Sequence, residues 1–200
     1  VAWKPDYITA TDVAAYLRVD DTVDNVEFGI WATASSRAID KRTNRQFGQL
    51  AAPAARTYRR APHYDPTCGL WVLEIDDVQD ATGLQVNGTA YASSGAVLLP
   101  DNAPADGVPW ERLGFTVQPI PSYPGQPVTN VVTARFGWTA VPSQVVAAAK
   151  LQCSRWNSRR DSPYGIAGSP DAGSEMRLLA KLDPDVATTL LGLSRRRRAG

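Results

Sequence analysis

Apolar positions near the start of the chain recur at helical spacing. Val13, Tyr16 and Leu17 stand at i, i+3 and i+4, which predicts a short helix stopping near Val19-Asp20. Thr9 or Thr11 can cap it, and Asp12 falls in the first turn, where the helix dipole favours a carboxylate. A second helix is expected after Asp21-Thr22, running to about Thr43. Val23, Val26, Ile30, Ala34 and Ala38 form its apolar stripe, with Trp31 at the flank. Phe28 and Ile39 fall outside that stripe. At about 100° per residue they share nearly the opposite side. Either they pack under the rest of the same chain, or a neighbouring subunit covers them. Phe28 and Ile39 are therefore candidate subunit-to-subunit residues.

Past residue 48 the period changes. Ala51-Ala52-Pro53-Ala54-Ala55 reads as a linker, followed by short runs with strand character at 56–60, 70–75, 83–86, 96–99, 113–117 and 131–136. Asn87-Gly88 is a strong hairpin signal. Seven of the fifteen prolines lie between Pro100 and Pro127, which predicts mostly loop with one edge strand around Phe115. Residues 49–140 thus read as an inserted antiparallel β-subdomain.

Helical spacing returns after Pro142-Ser143, with Val145, Val146, Ala149, Cys153 and Trp156 as the expected buried face, to an end at 158–160. A Gly/Pro-rich loop follows, then a helical turn or short helix within 174–182. Asp183-Pro184 opens a last helix carrying Val186, Leu190, Leu191 and Leu193. The predicted class is α+β: a small helical bundle of N- and C-terminal helices with an inserted antiparallel β-subdomain. Its expected parts are 1–48, 49–140, 141–182, and a C-terminal docking helix with basic tail at 183–200.

Composition narrows the chemistry. A net charge of +1 gives no global field toward nucleic acid or membrane. No apolar run approaches the ~20 residues of a membrane span, and Val1-Ala2-Trp3-Lys4-Pro5-Asp6 lacks the apolar stretch of a signal peptide. A soluble chain made in a cytosol is expected, with Cys68 and Cys153 as free thiols. His63 is the only histidine. His63, Asp65 and Cys68 lie close in sequence, but a structural zinc site needs four ligands and no second cluster follows. The carboxylate pairs Asp20-Asp21, Asp76-Asp77 and Asp183/Asp185 sit where turns and caps use Asp. No phosphate-binding Gly-rich loop is present. No catalytic, cofactor or metal residue is assigned, and no enzyme activity is expected.

Arg195, Arg196, Arg197 and Arg198 form the one clear charge cluster. It reads as a solvated tail, or as an arm for an acidic protein surface or a nucleic-acid backbone, bound weakly and without sequence reading.

Thr11-Asp12-Val13-Ala14-Ala15-Tyr16-Leu17-Arg18-Val19-Asp20, an acidic turn and a long helix ending Arg42-Thr43-Asn44-Arg45 resemble the head-to-tail connector (adaptor) proteins of tailed bacteriophages. Phe136-Gly137-Trp138-Thr139-Ala140-Val141-Pro142, Arg159-Arg160-Asp161-Ser162-Pro163-Tyr164-Gly165 and Leu182-Asp183-Pro184-Asp185-Val186 are similar to adaptors of phages that infect actinobacteria. The resemblance covers residues 8–47 and 134–193. It implies a virion neck protein, made in the host cytoplasm. About twelve copies would form a ring beneath the portal protein, joined to the next neck or tail protein. DNA would pass through the channel without sequence-specific binding, and no membrane is involved. By position, Asp183, Pro184, Val186, Leu190, Leu191 and Arg195 to Arg198 would dock on the portal. The β insertion departs from the smallest, nearly all-helical members. Other readings are another neck or tail-completion protein, or a small nucleic-acid-binding module using the arginine run.

Overall fold

Thr9 starts the first helix, α1 (Ala10–Leu17), through a capping box. Its hydroxyl accepts from the Asp12 N–H at 3.1 Å, and the Asp12 carboxylate accepts from the Thr9 N–H at 2.9 Å. Arg18 ends the helix in the left-handed region, at φ 58°. The computed structural model describes residues 2–119, 128–160, 166–167, 176–177 and 184–195.

The described chain forms two compact units. The helical unit comprises, among the described residues, 5–46, 141–160, 166–167, 176–177 and 184–195. In it α2 (Asn25–Thr43) packs on α1 and on α3 (Ser143–Arg160), and α3 packs on α1 and on α4 (Pro184–Thr189). The face of α2 that enters the core is the reverse of the one its apolar stripe predicts. Phe28, Ala32, Ser35, Ser36, Ile39 and Thr43 are buried. The buried hydroxyls are satisfied inside the helix itself: Ser35 and Ser36 donate to the Ala32 carbonyl, and Thr43 donates to the Ile39 carbonyl. Ser36 Oγ also accepts from the Tyr7 N–H at 2.9 Å. Small residues let neighbouring elements approach closely, and Phe28 and Ile39 supply the apolar bulk.

On α3 the buried residues are Val145, Ala148, Ala149, Gln152 and Cys153, while Val146 and Trp156 are only half-buried. Burial pushes the Cys153 thiol above its ordinary titration range. Within 174–182, where a helical turn is expected, the described pair Met176–Arg177 is instead a strand (β9), antiparallel to β8 at Ile166–Ala167.

The second unit comprises, among the described residues, 2–4, 47–119 and 128–140. It is built on one seven-stranded antiparallel sheet. The strands are β1 (Ala54–Tyr58), β2 (His63–Asp65), β3 (Leu70–Val86), β4 (Thr89–Ala90), β5 (Ala96–Leu99), β6 (Trp110–Phe115) and β7 (Asn130–Phe136). The path runs β1-β7-β3-β6-β5, with β2 and β4 also paired to β3. The strand around Phe115, expected at an edge, lies inside: β6 pairs with β3 on one side and with β5 on the other.

Runs 70–75 and 83–86 are one 17-residue strand. Asp76, Asp77 and Gly83 resemble turn signals but serve the sheet. Asp76 pairs with Arg56 at 2.7 Å, and Asp77 accepts from the Trp138 indole N–H at 2.9 Å. Gly83 takes φ 72°, and a Cβ there would stand 3.1 Å from Pro53 Cγ. The strand changes phase midway: Leu73 and Ile75 are buried, then Val78, Leu84 and Val86. Register irregularities follow the switch, between Val78 and Asp80 and between Asp80 and Gln85. Asn87 and Gly88, at φ 49° and 81°, make the predicted hairpin turn.

Three measurements check this packing. Ile39→Ala should cost about 2–5 kcal/mol in urea unfolding, whereas Ile30→Ala, on the open face of α2, should stay within about 0.5 kcal/mol. A thiol reagent should label exposed Cys68 at once and buried Cys153 only on unfolding. Bonds from the Thr9 N–H and hydroxyl hold the Asp12 carboxyl below its usual range, and the Thr82 hydroxyl and N–H do the same for Asp80. A lowered folded pKa means stability that is present above the unfolded value of about 3.9 and lost as pH falls below it. Thermal unfolding should therefore stay level down to about pH 5 and decline below about pH 4, less steeply for Asp12→Asn.

Candidate interaction surface

The C-terminal segment is folded onto its own helical unit. Val186 and Leu190 are fully buried and Leu193 nearly so, because α4 packs on α3. The Arg195 N–H donates to the Thr43 carbonyl at 2.8 Å, and Asn44 Nδ2 donates to the Arg195 carbonyl at 3.3 Å. The end of α2 and the end of the α4 segment thus satisfy each other's backbone groups. Val186 and Leu190, expected to dock on the portal, are instead buried under the surface of the single chain. Pro184 is exposed, Leu191 is 71% exposed, and Arg195 is half-buried. Asp183, Arg196, Arg197 and Arg198 lie outside the described residues.

Phe28 and Ile39 are both buried within the helical unit of the single chain, which matches the first of the two readings of their side of α2. The face left outside belongs to the stripe expected in the core. Val23 is 83%, Val26 79% and Ile30 63% exposed, and Ala34 is exposed as well. Beside it, Arg160 at the end of α3 pairs with Glu27 at 3.0 Å and Asp24 at 3.4 Å, and its guanidinium lies 5.5 Å from the Trp31 ring centre. Farther along α2, Arg37 pairs with Asp40 at 3.2 Å and donates to the Pro5 carbonyl at 2.6 Å. The Tyr7 hydroxyl donates to Asp40 too. Lys41 and Arg42 are exposed at the helix end. The signal that separates the two faces is the run of Ala32, Ser35, Ser36 and Thr43 on the Phe28/Ile39 side. A reading weighted by hydrophobicity scores that side as polar.

The residues with catalytic or ligating potential serve local structure. His63 and Asp65 lie on β2. Asp65 accepts from the Thr67 hydroxyl and N–H, at 2.6 and 3.0 Å, and those bonds lower its pKa first, ahead of the Arg112 charge. Cys68 Sγ lies 3.7 Å from the Asp65 carbonyl. Among the described residues, no group of three or more His, Cys, Asp or Glu is placed to hold a metal ion. Asp76 and Asp77 point to different partners, as adjacent strand residues must. Burial, then the Asp76 charge, pushes the Tyr58 phenol upward. Among the described residues no helix is long and apolar enough to cross a membrane.

No family model and no curated protein matches the chain. Among solved structures, the chain is similar to one in the neck of an empty GTA (gene transfer agent) particle computed with C6 symmetry. The likeness covers 100% of this chain and 96% of that one, at a TM-score of 0.54 and 18% identity. At that identity it establishes a shared fold, α+β with helices and an inserted antiparallel sheet. It gives no support to the narrower likeness to adaptors of phages that infect actinobacteria.

Proposed function

We propose that this chain is a structural protein of the neck of a phage-like particle, acting as a head-to-tail adaptor. The observation that carries this reading is the coverage: the likeness to a neck chain runs through both units and nearly all of each protein. Repeated copies form a ring beneath the portal and join it to the next neck or tail protein, with DNA passing through the centre. The C6 symmetry of the similar neck supports a ring. The protein makes and breaks no covalent bond. Its net charge of +1 suits a channel that must let DNA slide. The portal meets what the C-terminal segment leaves open, Pro184, Leu191 and Arg195 among the described residues. The likeness also fits another neck or tail-completion protein, a reading that differs in which neighbours the ring touches.

Reconstruction of the mature particle tests the proposal. Density for this chain should form a ring between portal and tail. Its absence from finished particles would sink the neck reading, and a ring without portal contact would transfer it to the tail-completion alternative. Leu191→Asp should leave the unfolding temperature within about 2 °C of the parent while reducing the yield of tailed particles.

A further inference from the structure

We propose that the exposed stripe Val23, Val26, Ile30 and Ala34 is the apolar centre of the contact between one copy of this chain and the next. The inference rests on the neck reading and names the residues that would close the ring. Single apolar residues on a surface need no explanation, but several on one helical face mark an interaction site. The stripe is not spare core, since the opposite face of α2 is fully engaged by Phe28, Ala32, Ser35, Ser36 and Ile39. Arg160 of α3 pairs with Asp24 and Glu27 beside the stripe.

The occupant follows from geometry and charge. A ring repeats one side-to-side contact, so each copy needs a patch that is open when the chain is alone and covered by the next copy. From Val26 to Ala34 the stripe spans about 12 Å. That is the centre of a contact, and it falls short of the about 800 Å² per partner of a standard interface. The remainder must be polar rim. The same helix provides one of divided sign: Asp20 and Asp21 are exposed just before α2, and Lys41 and Arg42 are exposed at its far end. A ring of more than two copies closes through a heterologous contact, in which one patch meets a different one, and a rim of divided sign can pair with opposite charges on that patch. The stripe therefore meets a different patch on the next copy, and not its own counterpart.

The test places the photoreactive amino acid benzoylphenylalanine at position 26 of the full chain, in assembled particles and in the purified protein. In particles, irradiation should yield an adduct of two copies, with the linked peptide lying outside residues 20–34 of the second copy. Val26→Asp combined with Ile30→Asp should abolish ring formation while leaving the circular dichroism and urea midpoint close to those of the parent. An adduct to another polypeptide, an adduct joining stripe to stripe, or no adduct in particles that contain the chain would overturn the inference. So would rings that survive the double substitution. A chain absent from particles that nonetheless forms stripe-linked rings when purified would overturn the neck reading alone. Absence from particles together with a purified chain that forms no such adduct would overturn both.

Discussion

The arrangement of the helical unit depends on how α2 buries polar side chains without leaving them unsatisfied. A hydroxyl taken from water costs stability unless it finds an acceptor, and an acceptor three or four residues back in the same helix is always at hand. Ser35, Ser36 and Thr43 use that route. They turn a face of small residues into one that packs closely, so the helix can sit among α1 and α3. Phe28 and Ile39 fix the rotation of the helix about its axis. Once that rotation is set, the residues roughly 180° away have nowhere to go but outward.

The sheet unit solves a related problem by different means. One strand, β3, pairs with four others, and its alternation changes phase along its length. Its buried positions move from Leu73 and Ile75 to Val78, Leu84 and Val86, and register irregularities follow between Val78 and Asp80 and between Asp80 and Gln85. Charged residues at the switch become joints: Asp76 with Arg56, Asp77 with the Trp138 indole, and Asp80 with Arg135 at 3.0 Å. The carboxylates that a search for acid–base chemistry would notice first are tying strands together.

Much of the fold was legible from local signals, because caps, turns and periods act over a few residues. Thr9 with Asp12, the return of helical spacing after Pro142 and the Asn87-Gly88 turn each specify one element. The places that misled are those where tertiary context outweighs local preference. Asp76-Asp77 and Gly83 are turn formers by composition, yet their partners lie on β1, in Trp138 and in Pro53, far along the chain. Strand β6 occurs among prolines that suggest an edge, but the neighbour that makes it internal, β5, is visible only in three dimensions. The surface was the hardest part. Periodicity finds the two sides of α2 and does not say which one meets the core. Val186 and Leu190 look like the apolar side of an arm, and α3 takes them.

The hydrogen bond from the Arg195 N–H to the Thr43 carbonyl has a practical corollary. It fixes the late chain at the C-terminal end of α2, about 25 Å along the helix from Val26. A fluorophore placed at Arg195 therefore reports from the Thr43 end, with the length of a helix separating it from Val26.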